Sequence, residues 1–396
     1  MDSEVARENK ENPGRLPLRR RLLSTSLSLL AALVVAGCVL TALRLSDKTR
    51  AAPPPAAAAA AGQCSPVAGG AGRPVSSHLG AWRYELTAAG TFYDLIPGPR
   101  ERLVALQACG REETSLRLSL LSSAGRLLSS SRQFPRAAPL ASSAAVSGRS
   151  IWLGTGVLAF DKAAAEAPYR LYCYLLDSKL SVLRRLSLGR GYGLELAAGP
   201  AGSAIASTGR AIIRISARGQ AERVAAFPGE VVQHMALLPG GRQLLLSLFR
   251  PGAVPPVSSS SLALLDLANG HISSRLPLPA GEEVGSLVPA RAGALLVLGD
   301  GTSQHLARLA RLAPLTLSAE GSSTTSLASL ALLPVGGPVI LAGLSGLTCV
   351  SPSGHLGPTT RPQGGMEVPT AMAMSRRSAY AITPAGIGRL ALPEGC

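Results

Sequence analysis

From about residue 80 onward, apolar positions fall into runs of five to eight residues, broken by Gly, Pro, Ser and charged residues. No apolar stripe is sustained at helical spacing. Short runs bounded by turn residues predict strands, and a chain built only of them predicts an all-β fold. The pattern also repeats. Ala236-Leu237-Leu238-Pro239-Gly240-Gly241 is echoed 95 residues later by Ala331-Leu332-Leu333-Pro334-Val335-Gly336-Gly337, with Leu287-Val288-Pro289 between them. That offset is two units of about 47 residues, the length of a four-stranded propeller blade. Short turns join paired runs throughout: Ser122-Ser123-Ala124-Gly125, Asp177-Ser178-Lys179, Ala217-Arg218-Gly219, Ala268-Asn269-Gly270, Ala313-Pro314 and Pro352-Ser353-Gly354.

The units predicted on this basis cover roughly 91–136, 137–190, 191–229, 230–281, 282–321 and 322–365, with a last unit at 366–396. The last unit holds three strands: Thr370–Met374, Ala379–Thr383 and Ile387–Leu392. The run Ala81-Trp82-Arg83-Tyr84-Glu85-Leu86-Thr87 stands ahead of the first unit and belongs to none. A strand from the N-terminal side that completes the last blade would close the ring and protect an exposed edge. The expected fold is therefore an all-β, seven-bladed β-propeller over 80–396, preceded by one N-terminal transmembrane or signal-anchor helix. In period and strand pattern this region resembles the quinoprotein-like, WD-repeat-like and YVTN-type propeller superfamily. No Gly-His…Trp-Asp pair marks the units. The Trp-bearing signature of quinoprotein dehydrogenases is missing too, since the tryptophans are Trp82 and Trp152. A solenoid or a β-sandwich is the alternative.

The N-terminus has a different pattern. Residues 1–21 are polar, and Arg19-Arg20-Arg21 lead into an uncharged, mainly apolar stretch, Leu22 to Leu43. At about 1.5 Å per residue that stretch spans about 33 Å as a helix, enough for a hydrocarbon core. Arg7, Lys10, Arg15, Arg19, Arg20 and Arg21 precede it, whereas only Arg44, Lys48 and Arg50 follow closely. The positive-inside bias puts 1–21 in the cytoplasm and the bulk of the chain outside it, at a cell membrane crossed once. Val35-Ala36-Gly37-Cys38 resembles a lipobox, which makes Cys38 the candidate lipidation site. The apolar Val39, Leu40, Ala42 and Leu43 beyond it favour an uncleaved signal anchor instead. The Ala/Pro/Gly-rich residues 44–79 read as a linker.

Composition adjusts this picture in two ways. Aromatics are 4% of the 396 residues and charged residues 16%, so Leu, Ala and Val carry the core. The net charge of +16 comes mostly from isolated Arg, without the basic runs interleaved with aromatics that suit single strands. A solvated basic surface is expected, and no nucleic-acid partner. Cysteine spacing matches no zinc pattern. Outside the cytoplasm disulfides are permitted, and Cys64 with Cys396 is the candidate ring latch. Cys109, Cys173 and Cys349 are expected to be small buried side chains.

Candidate chemistry is sparse. His78, His234, His271, His305 and His355 are isolated in sequence and are expected to face solvent. Asp161, Asp177, Asp266 and Asp300 are expected to be solvated turn carboxylates. Gly154-Thr155-Gly156 and Gly189-Arg190-Gly191-Tyr192-Gly193 lack the strand–helix setting and Walker Lys of phosphate loops, and read as turn glycines. No catalytic residue is assigned, and no metal or cofactor is expected. The functional expectation is a membrane-anchored binding or scaffold propeller for a protein or small ligand on one face. The alternative is an extracytoplasmic enzyme of hydrolase, lyase or cyclase type at the channel mouth. Acidic and His side chains converging there would favour the enzyme; Ser, Leu and Arg would favour binding.

Overall fold

The computed structural model describes Cys64 and residues 68–69, 77–79, 82–109, 115–159, 167–250, 259–290, 293–299, 304–323, 329–331, 339–343, 346–350, 371–375, 378–383 and 386–391. Residues 1–63 lie outside this set, and with them the anchor, Cys38 and most of the linker. Among the described residues no helix is long and apolar enough to cross a membrane.

The strands form seven antiparallel sheets. Sheet I contains Phe92–Pro97, Leu103–Cys109, Ser115–Leu121 and Leu127–Ser130, with Phe134–Pro135 also paired to Ser115–Leu121. Sheet II is Ala137–Ser147, Ser150–Leu158, Tyr169–Leu176 and Val182–Gly191; sheet III is Glu195–Ala198, Ala204–Ser207, Ala211–Ile215 and Ala221–Ala226. Sheet IV is Val231–Leu237, Gln243–Arg250, Ser259–Asp266 and Ile272–Pro277; sheet V is Glu283–Ala290, Gly293–Gly299, Gln304–Leu312 and Leu315–Ser323. Sheet VI shows three strands, Ser329–Ala331, Val339–Gly343 and Gly346–Val350. Sheet VII joins Ala371–Ser375, Ser378–Thr383 and Gly386–Ala391 to Trp82–Ala89.

The first strand of each of sheets I to VI, and Ala371–Ser375 of sheet VII, contacts its counterparts in the two neighbouring sheets, so the seven form a closed ring. This is a β-propeller. The expected seven blades of four strands need correction: six blades are complete, and sheet VI has three strands among the described residues.

The run ahead of the first unit closes the ring. Trp82–Ala89 pairs antiparallel with Gly386–Ala391, from Arg83 opposite Ala391 to Ala89 opposite Gly386. Ala68 then pairs with Ala89, at the end of that strand that leads into Phe92 and sheet I.

This geometry decides the cysteines. Phe92 pairs with Gln107, so Cys109 lies just beyond that same end, and Cys64 is bonded to Cys109. The expected Cys64–Cys396 latch is therefore overturned, because Ala391 sits at the opposite, Arg83, end of the closing strand. Cys349 is disulfide-bonded as well, so neither it nor Cys109 is merely a small core residue. Cys173 is: it is free and buried, and burial pushes its thiol up to about 12.

Packing between sheets explains the continuous apolar runs. In Leu103-Val104-Ala105-Leu106, Leu103 and Ala105 pack with Tyr380, Ile382 and Ile387 of sheet VII, while Val104 and Leu106 pack with Ile151, Leu153 and Leu176 of sheet II. Alternate side chains leave opposite faces of a strand, so a blade sandwiched on both sides must be apolar at every position. Outer strands such as Ile272–Pro277 instead alternate half-buried and exposed residues. Gly154 and Gly156 lie inside the strand Ser150–Leu158 and not in a turn as expected. A Cβ at Gly154 would collide with the Leu194 side chain just ahead of sheet III, so glycine there permits close approach of two blades.

Candidate functional site

Strands within a blade alternate in direction, and each blade returns to the centre to start the next. Successive innermost strands therefore begin at the same end of the central channel. Four polar residues sit near those starts: Asp94 in Phe92–Pro97, Glu195 at the head of Glu195–Ala198, and Gln233 and His234 in Val231–Leu237.

Bulges shape this end. The register skips a residue between Phe92 and Asp94, between Val232 and His234, and between Val284 and Ser286. Gln233 is thus the extra residue of its bulge, and such insertions re-aim side chains near functional sites. In sheet II, Ser143 pairs with Gly154 and Ala138 with Gly156, so residues 139–142 loop out of the innermost strand. Leu140, in that loop, is 91% exposed.

Hydrogen bonds from side chains and backbone staple neighbouring blades across the seams here. The Met235 N–H of sheet IV donates to the Glu195 carboxyl, and His234 bonds to the backbone of Val284 in sheet V. Ser143 Oγ accepts from Leu196 N–H at 3.2 Å, and Leu194 N–H donates to Ala141 O at 3.3 Å.

Asp94 and Glu195 are each half-buried, and the Glu195 Oε2 atom is itself buried. Burial pushes Asp94 up to about 6, opposed by its bond from Leu95 N–H at 2.8 Å. Burial pushes Glu195 up to about 8; the Met235 N–H opposes this, and the nearby Asp94 charge adds to it. Burial holds His234 below the ordinary imidazole range. The Glu195 Oε2 and Gln233 Oε1 atoms are buried and have no hydrogen-bond partner. An unmade bond to a buried acceptor is costly, so such atoms mark places where a ligand gains by donating to them.

A titration tests this arrangement. Both carboxyls bind a proton more tightly in the folded chain, so their contribution to stability is fully present in acid and is lost as pH rises through about 6 for Asp94 and about 8 for Glu195. The urea midpoint of unfolding should fall across that window, and Glu195→Gln should flatten the upper part of the fall. A midpoint that rises there would contradict the burial of these groups.

The other sequence candidates are dispersed. Asp177 Oδ1 accepts from the N–H groups of Lys179 and Ser181, and Asp266 Oδ1 from Ala268, as turn carboxylates do. His271 is exposed, and His305 lies 3.2 Å from Glu282. His78 is in Ser77–Leu79, while Asp161, Asp300 and His355 lie outside the described residues. His234 and His305 correct the expectation of solvent-facing histidines, since both are half-buried and partnered, His234 by the Val284 backbone and His305 by Glu282. A cavity of about 540 Å³ on sheet III includes Arg214 and Glu222, which pair with each other at 2.6 Å. Among the described residues no cluster of three metal-ligating side chains occurs.

Asp94, Glu195 and Gln233 were not singled out from the sequence. The available signal was a carboxylate inside an apolar strand, as in Tyr93-Asp94-Leu95 and Leu194-Glu195-Leu196, just after a unit boundary.

No family model and no curated protein sequence matches the chain. Among solved structures it is similar to hydrazine synthase of Kuenenia stuttgartiensis, at 12% identity and a TM-score of 0.55, over 76% of this chain and 95% of that one. It is also similar to streptogramin B lyase, at 13% identity and a TM-score of 0.52, over 78% of this chain and 98% of that one. At such identities the shared property is the propeller fold.

Proposed function

We propose that this propeller is held outside the cytoplasm by the apolar segment 22–43 and binds a small, hydrogen-bond-donating ligand at the channel end around Asp94, Glu195, Gln233 and His234. The observation that carries the ligand site is the pair of buried acceptors, Glu195 Oε2 and Gln233 Oε1, left unpartnered on neighbouring blades. The length of the uncharged stretch and the three arginines before it support the anchor. The test is a thermal-shift screen of small amines, polyols and sugars on the full chain in detergent. Ligands should stabilise the native protein but not Glu195→Gln; a screen in which no compound separates the two proteins refutes the site. Fractionation checks the anchor, which fails if the full-length chain is wholly soluble.

A second reading, an acid–base enzyme, is favoured by one feature: the two carboxyls differ in proton affinity. Near neutral pH, Asp94 is mostly a carboxylate that can accept a proton, and Glu195 mostly an acid that can donate one. One of the similar solved structures is a lyase by name. On this reading Asp94→Asn and Glu195→Gln would each abolish turnover of whatever ligand the screen finds, while binding persists in one of them.

A further inference from the structure

We propose that the ligand at this channel end is a monoamine: a single protonated ammonium attached to an apolar body. The inference rests on the channel-end binding site proposed above and names its ligand class. An ammonium brings three N–H donors and one positive charge. Three innermost strands supply matching groups: the Asp94 carboxyl from sheet I, Glu195 Oε2 from sheet III and Gln233 Oε1 from sheet IV. Gln233 stands two residues before Met235, whose N–H already holds the Glu195 carboxyl, so the two unpartnered oxygens belong to one neighbourhood. A cation there also offsets the Asp94 charge that helps keep Glu195 protonated, which a neutral donor such as a hydroxyl cannot do.

The rest of the ligand is read from the lip. Ala141 accepts from Leu194 N–H, one residue before Glu195, so the looped-out residues 139–142 and the segment Tyr192-Gly193 border the same entrance. They present an almost fully exposed Leu140 and a half-exposed Tyr192. One ring face of Tyr192 is already taken: the Arg210 guanidinium lies 5.0 Å from the ring centroid, and its Nη2 donates to the Tyr192 hydroxyl at 2.6 Å. The exposed Leu140 side chain offers apolar surface for a tail to cover. A second positive charge would meet Arg210.

The probe is hexylamine, compared with hexanol, hexanoate and the diamine of the same chain length, titrated by calorimetry into the full chain in detergent. Hexylamine should bind with a Kd on the order of 1 mM, as suits so small a ligand. Glu195→Gln and, independently, Gln233→Met should each weaken it by roughly ten-fold. Leu140→Ser should weaken it by a smaller factor, and the diamine should bind less well than hexylamine. Hexylamine binding that is unchanged in both acceptor variants overturns the proposal. If hexanol binds as tightly as hexylamine and is lost in Glu195→Gln, the monoamine class falls while the channel-end site stands. If no probe binds, and the thermal-shift screen also finds no ligand dependent on Glu195, both fall.

Discussion

Replacing Cys64 and Cys109 together by serine is expected to destabilise the native chain by about 4 kcal/mol, the loop-closure entropy of a cross-link across 45 residues. The bridge joins the segment before the closing strand to the second strand of sheet I, and Ala68–Gly69 pairs with the end of that closing strand. Without the bridge, Trp82–Ala89 is held to the ring by its pairing with Gly386–Ala391 and by short neighbouring strands alone. Sheet VII would then be the first to open and would expose the edge of Gly386–Ala391. Urea unfolding of oxidised protein and the double variant, followed by near-ultraviolet circular dichroism, measures the loss. A variant as stable as the parent would show that the bridge constrains nothing in the unfolded chain. Peptide mapping without reduction should recover Cys64 linked to Cys109.

The second large effect is expected at Trp152, the bulkiest fully buried side chain among the described residues. It fills the seam between sheets II and III, packed with Leu171, Leu175, Leu194, Leu196, Ala206 and Ile213, and its Nε1 donates to Gly202 O at 3.0 Å. The same turn is held by Ser147, whose Oγ accepts from Gly202 N–H at 3.1 Å and donates to Gly199 O at 2.5 Å. Trp152→Ala should cost about 3–5 kcal/mol through lost burial and the cavity left behind. Trp152→Phe keeps most of the ring volume but strands the Gly202 carbonyl, and should cost about 1–2 kcal/mol. Denaturant midpoints of the two variants give the comparison. Equal losses would mean that the hydrogen bond, and not the packing, dominates at this seam.

Several features were legible in the residue pattern alone. Short apolar runs at a fixed period required repeated four-stranded units, because a strand covered on both faces has to be apolar throughout, as Leu103–Cys109 is. The three-stranded final unit and the spare run at Trp82 required closure, because each carried half of an unmet pairing. The tertiary structure decided what depended on which ends of strands meet. Antiparallel pairing sent Ala391 to the Arg83 end of the closing strand and so gave Cys64 to Cys109. The site was hidden for the same reason. Asp94, Glu195 and Gln233 are separated in sequence by 101 and 38 residues, and each alone resembles an ordinary polar residue at a strand start. Only the common direction of the innermost strands brings them to one end of the channel. There burial raises both carboxyls, and the Asp94 charge raises Glu195 further, giving proton affinities that no local pattern encodes.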